Sequence, residues 1–209
     1  MMEISRSKKV EQFYSLMGVN ETVLDVGVSP EGPDGSRHRN YFLKTFRMKP
    51  CQYTGLGIQD LTSTQERFPD FRFVRYGGGR FPFNDKQFDW VFSNAVIEHV
   101  GDENAQVAFV DEMLRVARSV YFTTPYKFFP VESHTNLLLV HWSDSMFRRW
   151  MRRTWPEADP YSIFLLSRRR LERVMSASNA AEFKIVSNRL FGLVMTMTII
   201  CSDSVEPRS

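Results

Sequence analysis

The sequence predicts an α/β protein, and three observations carry that reading. Five short apolar runs, TVLDVG, QYTGLGI, FRFVRY, FDWVFSN and SVYFTT, recur up to Pro125. Segments with helical spacing or capping residues separate them, the alternation that builds a parallel sheet with helices on both faces. Finally EFKIVSN and LFGLVMTMTIICS read as two strands of a closing antiparallel hairpin. The sum is a Rossmann-like seven-stranded sheet, a fold whose ligands sit at the carboxyl ends of the strands near the switch in strand order.

Each element follows from local pattern. Val10, Phe13, Tyr14 and Met17, spaced i, i+3, i+4, i+7, predict an opening amphipathic helix stopped by Gly18. TVLDVG is the first strand, and residues 37–47 read as helical. QYTGLGI is the second strand, and residues 61–67 form a short helix ending before Pro69. FRFVRY and FDWVFSN are the third and fourth strands. Asp102 can cap a helix whose buried stripe is Val107, Val110, Leu114 and Ala117. SVYFTT is the fifth strand, ended by Pro125.

After Pro125 the rhythm breaks. FFPVESHTNLLLVHW is a long connection with two histidines. Met146, Phe147, Trp150 and Met151 then mark one helix face, with Arg148, Arg149, Arg152 and Arg153 on the other. A second arginine-bearing helix starts near Ser167, a capping residue. Long insertions are more often functional lids than idle loops, so within a single domain spanning 1–209, residues 126–178 are expected to be a substrate-side insertion or lid.

Composition narrows the classes. At 209 residues, 43% hydrophobic and 24% charged, the chain is an ordinary globular domain, not a disordered one. The longest apolar stretch, residues 190–201, is too short to span a bilayer. The opening MMEISRSKKVEQF lacks the apolar core of a signal peptide. Cys51 and Cys201 lie far apart without metal-type spacing, so no metal site is expected and a reduced, cytoplasmic setting is the simplest reading. A net charge of +3 implies no polyelectrolyte affinity, which disfavours nucleic acid as a partner. The arginines crowding the last third read either as a solvated helix face or as a surface for an anionic substrate or a membrane periphery.

The strand ends hold the candidate site. VSPEGPDGS has no Gly-Lys-Ser/Thr pairing, which excludes a P-loop, and no Gly-x-Gly-x-x-Gly follows Asp25. A carboxylate at Asp25 can orient loop amides or accept from an ammonium, and Gly27 lets a backbone come close to a ligand. After the second strand, Gln59 offers one acceptor oxygen for a ribose diol. Asp60 can replace it if the turn is displaced by one residue, or can cap the next helix. Gly77, Gly78 and Gly79 can lie against a flat base or form a plain turn before Phe81-Pro82-Phe83. After the fourth strand, small residues at Ser93, Asn94 and Ala95 permit close approach. His99 can act as a general base or, with Glu98, cap the turn. His134, His141 and Glu132 carry the same two readings in the inserted segment. Trp142, Trp150 and Trp155 read better as lid core than as a substrate platform.

VLDVG, YTGLGIQD, GGGRFPFNDKQFDWVFSNAVIEHVGD and the closing hairpin together resemble the class I S-adenosylmethionine (SAM) methyltransferases. They most resemble small bacterial enzymes with an LPF…FD.V.S..V.EHV block, and the likeness runs over residues 21–124. It implies SAM as cofactor and methyl transfer to an O or N atom of a saccharide-type or other small molecule, and the arginine-bearing helices suit an anionic one. The cofactor set it implies is Asp25, Gly27, Gln59, Asp60, Gly77, Gly78, Asn94 and Ala95, with His99 and His134 as candidate catalytic residues. It would also put acids at Gln59 and Gly77, and glycines at Ser29 and Glu31. Those departures keep a second reading open, a non-catalytic methyltransferase-like module with a degenerate cofactor site. The Asn/Asp-Pro-Pro-aromatic turn of amino-directed DNA enzymes is absent after the fourth strand.

Overall fold

A computed structural model describes residues 2–32, 39–131, 135, 137–154 and 163–202. Its seven-stranded sheet has the order β3-β2-β1-β4-β5-β7-β6. The strands are β1 (Val23–Val26), β2 (Tyr53–Gly57), β3 (Arg72–Arg75), β4 (Phe88–Asn94), β5 (Ala117–Pro125), β6 (Lys184–Leu190) and β7 (Leu193–Ser202). The first five pair in parallel, and β7 runs antiparallel to both β5 and β6. This is the seven-stranded Rossmann-like sheet with a closing hairpin that the sequence predicts.

Burial explains the strand sequences. Every residue of β1 and β2 is buried, which is why both read as continuous apolar runs rather than alternating ones. β3 lies at the sheet edge and keeps Arg72 and Arg75 exposed, a charged edge that discourages pairing with another chain. Side chains still alternate between the two faces. Val23, Trp90 and Phe92 point to one core, and Leu24, Val26 and Val91 to the other.

The first core is an aromatic layer under the helices α1 (Met2–Tyr14) and α2 (Tyr41–Lys44). Phe42 stacks on Phe92 at 4.1 Å, and Phe13 meets Trp90, Phe92 and Tyr121 edge-on. Between β2 and β3 runs α3 (Thr62–Arg67). The second core lies under α4 (Glu103–Val116) and α6 (Arg168–Ala177), whose Leu171, Val174 and Met175 are fully buried. Helix α5 (Asp144–Thr154) forms a smaller cluster in which Phe147 and Met151 meet Leu165. Among the described residues no helix is long and apolar enough to cross a membrane.

Three local expectations need correction. Of the helix expected over 37–47, only Tyr41–Lys44 is helical among the described residues. Asn40 precedes it in a left-handed conformation (φ 49°), and residues 37 and 38 lie outside the described set. In α4 the buried stripe is Gln106, Phe109, Val110, Met113 and Val116. Val107 and Leu114 sit at its margin, and Ala117 already belongs to β5. The rotation is possible because the Gln106 amide donates to the carbonyls of Ile97 and Phe164, so a polar side chain can face inward. In α5, Met146 does not join the buried face but is 59% exposed.

Candidate functional site

The strand order reverses between β1 and β4, because the chain runs outward through β2 and β3 and returns to pair β4 beside β1. A crevice opens at such a switch point, at the carboxyl ends. The two strand ends there have special backbone. Gly27 has φ +105°, and its amide and that of Val28 both donate to the Leu56 carbonyl. A Cβ on Gly27 would lie 2.3 Å from Val96 Cγ2, so the Val96 side chain needs a glycine beneath it. Ala95 adopts a left-handed conformation (φ 58°) with its amide on the Thr123 carbonyl.

Two cavities meet at this point. The smaller, about 270 Å³, is lined by Arg6, Lys9, Asp25 and Asn94 among others. The larger, about 820 Å³, is lined by Gln59, Tyr76, Gly78, Gly79, His99 and Phe109 among others. Val26, Gly27, Val28, Ser29 and Ala95 line both. One elongated ligand can therefore lie across the Gly27–Ala95 seam with one end in each.

The smaller cavity is polar, and its chemistry follows from strand alternation. Asp25 shares a face with Val23, and Asn94 with Trp90 and Phe92, so both polar groups emerge above the aromatic layer, facing α1. Asp25 is 7% exposed and accepts a hydrogen bond from the Tyr53 hydroxyl at 2.6 Å. Burial pushes its carboxyl up to about 7, against the stabilising Tyr53 bond. Lys9 is 6% exposed and donates to Asn94 Oδ1 at 2.7 Å, as does the Thr123 hydroxyl at 2.8 Å. Both bonds fix the Asn94 amide, whose NH2 makes no hydrogen bond among the described residues. Burial lowers the Lys9 ammonium to about 8, helped by nearby Arg6 and opposed by Glu98. The cavity thus offers a carboxylate and three basic side chains, Arg6, Lys9 and Arg39, within one small space.

The loop after β1 is rebuilt where glycines are expected. Asn40 Oδ1 accepts from the Ser29 amide and hydroxyl, and its Nδ2 donates to Ser29 O and to Glu31 Oε1. Glu31, whose side chain is 2% exposed, also pairs with Lys44 at 2.8 Å. The Thr64 hydroxyl accepts from the Glu31 amide and donates to Ser29 O. A polar clamp therefore holds in place what a compact glycine turn would hold by tight packing.

In the larger cavity, Gln59 is exposed and lines the wall. Asp60 does not line it. Its carboxylate accepts from the Thr62 amide and hydroxyl at the start of α3. Gly78 and Gly79 line it with positive φ, while Gly77 stands outside the lining. His99 is exposed on the rim in the 3-10 turn Ile97–His99. Glu98 points the other way, fully buried, and accepts from the Thr124 hydroxyl at 3.1 Å.

The remaining candidates separate. His141 is buried beside Phe147 with Nε2 on the Phe129 carbonyl at 2.8 Å, a structural position away from both cavities. Trp150 packs on the Phe147–Met151 cluster, whereas Trp142 is 43% exposed. His134, Glu132 and Trp155 lie outside the described residues. Sequence reasoning missed Arg6, Lys9, Asn40 and the inward Glu98. Lys9 did leave a signal, a lysine on the same helical face as Phe13, where an amphipathic helix should be apolar.

A doubly wound sheet with a divided crevice at its switch point defines an α/β fold of the kind that takes ligands at the carboxyl ends of its strands. Comparison with known proteins adds a domain match over part of the chain. Residues 37–120 match the family model for a methyltransferase domain. Among solved structures, the chain is 17% identical to the CurJ carbon methyltransferase, covering 87% of this chain and 48% of that one with a TM-score of 0.53. It is 15% identical to phosphoethanolamine N-methyltransferase 2 of Haemonchus contortus, covering 87% of this chain and 38% of that one, with a TM-score of 0.56. That structure holds phosphomonomethylethanolamine and S-adenosylhomocysteine. A SAM-dependent methyltransferase of Methanosarcina mazei is 15% identical over 90% of this chain and 94% of its own, with a TM-score of 0.55. The chain spans about half the length or less of the first two. None of the curated proteins compared matches the sequence. The resemblance to class I SAM-dependent methyltransferases read from the strand ends is borne out by the domain match and by the fold.

Proposed function

We propose that the protein is a SAM-dependent methyltransferase acting on an O or N atom of a small, anionic or saccharide-type molecule. The observation that carries this reading is the pair of cavities joined at Gly27 and Ala95. Their contrast matches the two ends of SAM. The larger cavity, with glycine backbone at Gly78–Gly79 and rings at Tyr76 and Phe109, suits an adenosine. The smaller one suits an amino-acid end, Asp25 accepting from a ligand ammonium, and the Asn94 NH2, Arg6 and Lys9 donating to a carboxylate. The buried Asp25 carboxylate, with Tyr53 as its donor, fits a cationic ligand group that would hold it ionised.

When bound, SAM supplies an activated methyl group for in-line attack. The chain's own work is to bind, to orient and to move a proton. His99, on the rim of the larger cavity, is the proposed base for an acceptor hydroxyl or amine, with His134 as the second candidate. Gln59 is proposed to hold the ribose through its single carbonyl oxygen, more weakly than an acid would. Residues 126–178 are proposed as the substrate-side lid, anchored in the core by α6, and the cell's cytoplasm as the setting.

Calorimetry with SAM and S-adenosylhomocysteine tests the reading. Saturable binding by the wild-type protein, and its loss in Asp25→Ala, are expected. No heat at millimolar ligand would favour the second reading, a non-catalytic module, for which Gln59 and the unlined Gly77 already speak.

A further inference from the structure

A surface outside the cleft combines exposed apolar side chains with a cluster of arginines. Phe128, Val131, Leu138, Leu139, Trp142 and Met146 are each at least 41% exposed. They form one neighbourhood. Phe128 meets the Trp142 ring at 6.1 Å, Val131 bridges Leu138, and the Leu139 amide bonds the Pro130 carbonyl. Met146 in turn sits among Arg148, Arg149, Arg152 and Arg153 around one shallow depression. Helix α5 carries those four arginines and a single acid, Asp144, whose carboxylate is taken by Lys127 and Arg170.

We propose that this face docks on an anionic phospholipid bilayer, with the exposed Arg149 and Arg153 of α5 on lipid phosphates and the apolar side chains at the headgroup boundary. Exposed apolar patches of this kind mark interaction sites, and the charge complements an acidic membrane surface. Val131, Leu138, Leu139 and Met146 favour lipid over nucleic acid, because aliphatic side chains cannot stack on bases as aromatic ones do. The segment leaves the carboxyl end of β5, so the docked face lies at the same end of the sheet as the cleft. The docking surface is independent of whether the cleft takes SAM.

Co-sedimentation with vesicles decides it, using pure phosphatidylcholine and a mixture of two parts phosphatidylcholine to one of phosphatidylglycerol. Binding only to the mixed vesicles, weakened by salt, is expected. Arg149→Gln with Arg153→Gln should weaken it about 30-fold, two basic charges at about 1 kcal/mol each. Leu138→Ser with Trp142→Ser should also weaken it. All four side chains are exposed, so folding should survive, and circular dichroism checks that. No sedimentation of the wild-type protein, equal binding to neutral vesicles, or unchanged binding by both double variants would each overturn the proposal. So would release from the vesicles by single-stranded RNA together with full RNA binding by the Leu138→Ser, Trp142→Ser variant, which reassigns the surface to nucleic acid.

Discussion

At the residue scale the account turns on Asp25 and Lys9, two buried groups of opposite charge above one aromatic layer. Tyr53→Phe removes the hydroxyl that donates to Asp25, so the carboxyl should rise further and the pH at which S-adenosylhomocysteine binds best should move upward. Calorimetry across pH reads that shift, and an unmoved optimum would mean that Asp25 does not meet the ligand. Lys9→Met keeps length and apolar contact but removes the charge. It should cost the amino-acid end about tenfold or more in affinity, the worth of a charge-assisted hydrogen bond. Adenosine alone, which lacks that end, should bind the variant and the wild type alike. Asp25 and Gly27 were legible in the sequence because a strand that stops at an acid and a glycine is a local pattern. Lys9 was obscured because its role depends on where a helix lands, eighty-five positions from its partner Asn94.

At the element scale the loop after β1 shows how a departure from a motif can be structurally self-consistent. Ser29 and Glu31 stand where glycines are expected, and Asn40 bonds both of them. Asn40→Ala should destabilise the protein by about 2–3 kcal/mol in urea unfolding, through lost hydrogen bonds and a left-handed backbone that alanine tolerates poorly. Asn40→Gly removes the same bonds but not the conformation, so it should cost less. Equal losses would show that the bonds alone matter. The cap of α4 offers a reference on another element. Asp102 accepts from the Ala105 amide at 3.0 Å, and Asp102→Ala should cost about 1 kcal/mol without touching ligand affinity. That cap was read from sequence, whereas the helix stripe was misplaced by about one residue. Capping is local chemistry, but the face a helix buries is decided by partners such as the Phe164 carbonyl, which accepts from Gln106.

For the whole molecule, strand alternation, the hairpin and the switch point were legible because each rests on short-range apolar pattern. The division of the crevice was not, since it arises only when α1 closes over Asp25 and Asn94. That closure has a global consequence. Asp25 holds its proton to about pH 7 when folded, against about 3.9 in an unfolded chain. The folded state therefore binds more protons between those values, and the ligand-free protein should lose stability as pH rises through that window, by up to about 4 kcal/mol. Asp25→Asn should flatten this slope in thermal unfolding. The same linkage gives the most direct test of the central claim, that the amino-acid end of SAM is held between Asp25 and Lys9. That test is the affinity of the wild-type protein for S-adenosylhomocysteine measured from acid to alkaline pH. It should rise towards pH 7 as Asp25 ionises and fall above about 8 as Lys9 loses its proton. Affinity that is independent of pH across that range would contradict the claim.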